Sequence, residues 1–244
     1  MFMNQEVTVS DVRRPRRWGL LAAPAAALVL LVCTPPAPAS ALIPRSTPSA
    51  PYAYIARQPL NSKAAVRWYP CKAHTYKINI GTSTNAQRVL LKQAVAKLSS
   101  ASGIPIVFAG YTRVLPTRAT SGSLKRYAGA EIVLAFTTPG RSNLLPSTSS
   151  GLLGVGGGSY SWSGTRPAWF TSGYALFNMR RMPSTSTGRL RMMEHEIGHA
   201  LGLGHTSLRS DVMYPVQYST SPAWSLGFAR GLLAVGKAAG CKTT

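Results

Sequence analysis

The sequence predicts an α+β domain built on one mixed sheet. Two observations carry that expectation: short apolar strands interrupted by a single helix fill most of the chain, and two more helices separated by a loop close it. Residues 66–69 and 76–80 read as strands flanking Pro70 and Cys71. Over residues 84–100 the period lengthens. Leu91, Val95 and Leu98 share one helical face, Lys92 and Lys97 lie off it, and Gly103 with Pro105 ends the element. Residues 106–109 and 131–136 return to short apolar strands. Residues 151–158 are dense in glycine and precede an aromatic alternation, Tyr160 and Trp162, which predicts a strand with a bulge or with a close backbone approach to a ligand. Residues 169–179 form a further strand candidate. Hydroxyls at residues 184–187 can cap a helix over about 189–201, and a last helix runs over about 225–239 to Gly240. There is no internal repeat.

The start of the chain follows another logic. Arg13, Arg14, Arg16 and Arg17 precede an apolar run over residues 20–33, and Ala39-Ser40-Ala41 offers a small-residue cleavage site. This is the layout of a secretory signal peptide over residues 1–41. The run is shorter than the roughly 20 residues that span a bilayer, so a secreted, extracellular product is expected, with a membrane-anchored form as the alternative. Residues 42–63 are rich in Pro, Ser and Ala without a period and read as a flexible linker; residues 64–244 are left as the folded domain. Beyond the leader only Cys71 and Cys241 remain, which in an exported chain read as a disulfide, two free buried thiols being the alternative.

The full chain carries a net charge of +21, and the part beyond the leader keeps +19. Such a field favours anionic surroundings, including cell-wall polymers. The basic residues are scattered singly, with no block and no interleaved aromatic stripe, which argues for a solvated surface and against a dedicated nucleic-acid site.

The densest chemistry lies in residues 195–205. His195 and His199 are four apart, so on a helix they project from one face, and neutral imidazoles at that spacing suit a tetrahedral zinc ion. Gly202 stands where the helix must end and can adopt the left-handed turn that brings His205 to the same metal. Three protein ligands leave a fourth position open, the mark of a catalytic zinc. Glu196 follows the first ligand and can accept a proton from the attacking water.

The longer pattern H-E-x-x-H-x-x-G-x-x-H, followed by a methionine turn, resembles the metzincin metallopeptidases. Residues 211–215, Asp-Val-Met-Tyr-Pro, look like that turn. Met213 would then floor the histidines; without the resemblance it is an ordinary core methionine. Within the metzincins the chain is similar to the matrixin branch, above all its shorter bacterial members, through Thr206, Tyr214-Pro215, residues 130–136 as a third strand, and residues 154–158 as the edge strand. The resemblance, which covers residues 66–241, implies a two-lobed fold: a twisted mixed sheet with the active-site helix, then the Met-turn and C-terminal helix. It implies a zinc endopeptidase acting on protein or peptide substrates as a monomer. Gly154, Val155, Gly156, Tyr214, Pro215 and Val216 would contact the substrate strand, and a cysteine near each end agrees with the bridge.

Departures from the family matter too. Residues 137–193 contain no His, Asp or Glu, so one catalytic zinc is expected, without the second zinc or calcium of animal matrixins. Nothing resembles the propeptide cysteine that keeps matrixin zymogens latent. Gln217 lengthens the spacing to Tyr218 by one residue, which bears on the shape of the specificity pocket. The competing expectation is an exported basic protein that binds wall polymers or other polyanions, with a zinc site that does no chemistry.

Overall fold

Local chemistry explains where the elements begin and end in the computed structural model, which describes residues 3–12 (backbone only), 51–149, 151–216 and 221–241. In chain order these are β1 (Met3–Val12), β2 (Ala53–Tyr54), β3 (Arg57–Gln58), β4 (Asn61–Ala65), β5 (His74–Asn79), α1 (Asn85–Ser102), β6 (Ile106–Thr112), α2 (Leu124–Ala128), β7 (Ile132–Thr137), β8 (Leu152–Trp162), β9 (Trp169–Asn178), α3 (Ser186–Leu201), β10 (Leu203–Gly204) and α4 (Leu226–Val235). Helix α1 opens on a capping box in which Thr84 and Gln87 satisfy each other's backbone N–H, and it ends at Gly103, whose φ of 69° few other residues accept.

Five strands form a mixed sheet in the order β8-β9-β7-β5-β6. Strand β5 runs parallel to β6 and β7, β7 runs parallel to β9, and β8 runs antiparallel to β9. Strand β1 adds to the outer edge of β8, antiparallel. One face of the sheet carries the main core, where Ile78, Leu134, Phe136 and Phe177 meet Leu91 and Leu98 of α1 and Ile197 of α3. The opposite face holds a smaller cluster of Leu124, Val133, Leu145, Val155, Tyr174 and Leu176. Covered on both faces, β7 is buried at all six residues, the first five of them apolar. The mixed α+β architecture is the fold class that the sequence predicts. The segment after Gly202, expected as the smaller lobe, shares the main core through Leu203, Val212, Met213, Phe228, Leu232 and Val235.

Two expectations change, and one short helix is added to them. Residues 53–62, placed within the flexible linker over 42–63, are ordered. Strand β2 pairs with β10, Tyr54 opposite Leu203, and the Gln58 amide donates to the carbonyls of Ala65 and Ala168 at 2.8 and 2.9 Å while accepting from Ala168 N. Two-residue strands that pair across the chain leave no local period to read. Residues 66–69 make a single bridge, Arg67 to Trp169, rather than a strand. Trp68 is nevertheless fully buried and donates to the Ala200 carbonyl at 2.8 Å, tying this segment to the end of α3. The five-residue helix α2, too short for a periodic signal, carries Leu124 and Ala128 of the smaller cluster. Of the leader, residues 3–12 form β1, and the apolar run over residues 20–33 lies outside the described residues. Among the described residues no helix is long and apolar enough to cross a membrane.

Cys71 and Cys241 are disulfide-bonded across 170 residues of sequence. Arg67 supports the junction: its guanidinium lies 5.0 Å from the centre of the Trp169 ring and donates to the Gly240 carbonyl at 3.1 Å. Closing so long a loop removes denatured-state entropy worth up to about 5 kcal/mol, a large share of the roughly 5–15 kcal/mol by which domains are stable. Reduction should therefore lower the melting temperature of the purified chain by several degrees or more. Alkylation should add mass at Cys71 and Cys241 only after reductant; modification without it would show that the bridge is absent.

Candidate metal centre

The centre is assembled at the C-terminal end of α3. Thr185 caps the helix by accepting from Gly188 N, and after sixteen helical residues Gly202 stops it at φ 111°, donating to the His199 carbonyl at 3.0 Å. That reversal carries the chain through β10 to His205. His195, His199 and His205 consequently present their Nε2 atoms to one another at 3.0, 3.2 and 3.3 Å.

The other ring nitrogens explain the orientation. His195 Nδ1 lies 2.6 Å from the Val212 carbonyl and His199 Nδ1 lies 2.8 Å from the Leu203 carbonyl. A carbonyl can only accept, so both Nδ1 atoms carry the proton and both Nε2 atoms keep a lone pair. Burial lowers the pKa of His195 to about 3, against the raising effect of its bond to Val212; burial and the neighbouring histidines push His199 well below its ordinary value, and burial takes His205 to about 4. Two of the three converging nitrogens therefore keep a lone pair and cannot bond to each other. They suit a cation: nitrogens held at about 2.0–2.1 Å by one tetrahedral ion lie about 3.3 Å apart. The donor set fits zinc.

Around the histidines, close approach is made by glycine. Glu196 is fully buried, and a Cβ at Gly154 would stand 2.7 Å from its Oε1 and 2.7 Å from the Leu176 carbonyl. A Cβ at Gly156 would stand 2.1 Å from the Glu196 carbonyl and 2.9 Å from His199 Cβ. The glycine density of β8 is thus a close backbone approach to helix α3. Gly198, which sequence reasoning passed over, has the same role below the helix: a Cβ there would meet Met213 Sδ at 2.7 Å. Met213 is buried at 1% exposure.

Asp211 holds the turn. Its Oδ1 accepts from Met213 N at 2.7 Å and its Oδ2 from the hydroxyl of Ser225, the residue that caps α4. Its side-chain bonds are those of a loop cap. Buried Arg191 reinforces the loop by donating to the carbonyls of Ser210 and Ser221. Tyr214, Pro215 and Val216 follow, half-buried, while Gln217 and Tyr218 lie outside the described residues.

Glu194 and His74 are both buried. Glu194 has 2% exposure and pairs with Lys97 of α1 at 2.9 Å. His74, at 1%, places Nδ1 2.9 Å from Glu131 and Nε2 2.9 Å from the Tyr69 carbonyl. Both nitrogens therefore face acceptors and neither is left for a metal. Burial pushes the Glu131 carboxyl up, but the charge of His74 and hydrogen bonds from Lys72 and His74 outweigh it and hold it below its ordinary value.

The matrixin family model matches residues 162–226, a span that holds β9, α3, all three histidines and the methionine turn. No curated protein matches the chain. The match supports a zinc metallopeptidase at the level of the family, and the three-histidine cluster is compatible with a metzincin zinc site.

Two outcomes follow from this geometry. Gly156→Ala forces β8 away from α3 and should cost about 3 kcal/mol with a marked loss of bound zinc; a wild-type melting temperature would contradict the close approach. The second concerns pH. The folded pKa values of His195 and His205 lie below the unfolded 6.5, so the unfolded chain binds more protons in between. Stability of the metal-free chain from this source is fully present above pH 6.5 and falls as the pH drops toward 4 and 3. A flat melting profile over that range in chelator would contradict it.

Proposed function

We propose that the chain is a secreted zinc endopeptidase that cuts a substrate strand lying antiparallel along the outer edge of β8. The observation that carries this reading is the juxtaposition of three convergent Nε2 atoms with the buried carboxylate of Glu196, one residue from the first histidine and against the backbone of β8. The family match is its second support.

His195, His199 and His205 would hold the ion. Zinc bound there supplies Lewis acidity, lowering the pKa of water toward neutrality and polarising a carbonyl. Glu196 takes a proton from the attacking water and passes it to the amine nitrogen as the C–N bond breaks. The outer edge of β8 offers backbone groups that hold an extended peptide in register, the strand-addition mode of recognition. Tyr214, Pro215 and Val216, on the far side of the methionine turn, shape the pocket for a substrate side chain. The arginine-flanked apolar leader supports export, and the basic surface supports association with anionic wall polymers once outside.

Replacing Glu196 with Ala or Gln leaves the three histidines in place. Zinc content should persist while kcat on a casein or peptide substrate falls about 10²–10⁴-fold, the range of acid–base groups. Near wild-type turnover in Glu196→Ala would remove Glu196 from the mechanism. Phenanthroline should abolish cleavage in the wild type and added zinc restore it; activity that survives the chelator would refute zinc dependence.

A further inference from the structure

We propose that the N-terminal segment Met3–Val12 is an autoinhibitory strand that occupies the substrate edge of β8; this rests on the reading of that edge given above. Strand β1 pairs with β8 antiparallel, the direction assigned to a substrate. The register runs from Met3 opposite Trp162 to Ser10 opposite Val155, and resumes with Val12 opposite Leu152 after an irregularity. Val9 faces Gly156, the residue whose backbone lies against Glu196 and His199. The blocking strand therefore crosses the level of the metal centre.

The other edge of β8 is taken by β9, so strand addition has one side available, and β1 fills it. Pairing of this kind uses backbone hydrogen bonds that any extended peptide can supply. A segment of the same chain competes with an advantage, because tethering gives it an effective concentration of about millimolar order. Its sequence fits the role. Val7, Thr8 and Val9 are β-branched, and Glu6 and Asp11 are two of only six acidic residues in a chain of net charge +21, so the segment is acidic where the body is basic. It lies within the stretch read as the leader. Loss of the leader would free the edge, coupling activity to export without a propeptide cysteine.

The test uses the full chain. Val7→Pro with Thr8→Pro places prolines at adjacent positions, one of whose N–H groups must point at β8, so at least one ladder hydrogen bond is lost while residues 51–241 are unchanged. On an internally quenched peptide, kcat/KM of the double variant should exceed that of the wild type by about ten-fold or more. Independently of turnover, a fluorescein-labelled peptide of residues 3–12 should bind Glu196→Ala chain carrying the two prolines and not Glu196→Ala alone, read by anisotropy. Equal binding to both, or binding to neither, overturns the proposal. Binding to the proline form with no cleavage by any form upholds the pairing and instead refutes the peptidase reading. A second variant, Gln5→Cys with Tyr160→Cys, places cysteines at directly opposed positions. Non-reducing peptide mapping should recover that bridge, and its absence would also overturn the proposal.

Discussion

Three imidazole nitrogens meet within 3.3 Å, and the two on His195 and His199, each with its lone pair turned inward, repel unless a cation lies between them. Much of the surrounding fold serves to impose that arrangement. The Val212 carbonyl orients His195 from the methionine turn, and the Leu203 carbonyl orients His199 from β10. Gly202 reverses the chain so that His205 arrives from a third direction. Asp211 fixes the methionine turn through Met213 N and, through Ser225, the start of α4. The metal site is therefore a junction of helix, turn and short strand, and tension at any of them is felt at the histidines.

The same economy governs the contact between α3 and β8. A helix can lie against a strand at backbone distance only where side chains are missing, and Gly154, Gly156 and Gly198 remove them on both sides of the helix. This brings Glu196 up to the sheet edge while leaving the outer backbone of β8 to pair with another strand. One strand thus has two sides: its inner side sets the distance to the histidine-bearing helix, and its outer edge pairs with β1.

Much of this was legible in the sequence because it is encoded locally. The spacing of His195, Glu196 and His199, the stop at Gly202 and the caps at Thr84 and Thr185 depend on residues within a few positions of one another. What escaped depends on partners far along the chain. Glu194 looks solvent-facing until Lys97 reaches it from α1, and His74 looks like a surface histidine until Glu131 closes over it. Residues 53–62 carry the composition of a linker, yet Tyr54 pairs with Leu203. The glycines of β8 were visible as a feature, but their reason was not, since the group they approach is a helix backbone about forty residues later.

The central claim, that His195, His199 and His205 together hold one zinc ion, is tested most directly by X-ray absorption at the zinc edge on the purified, zinc-loaded chain. The account predicts nitrogen and oxygen scatterers alone at about 2.0–2.1 Å, with the outer-shell pattern of about three imidazoles. A sulfur scatterer at about 2.3 Å, or a spectrum without imidazole, would contradict it.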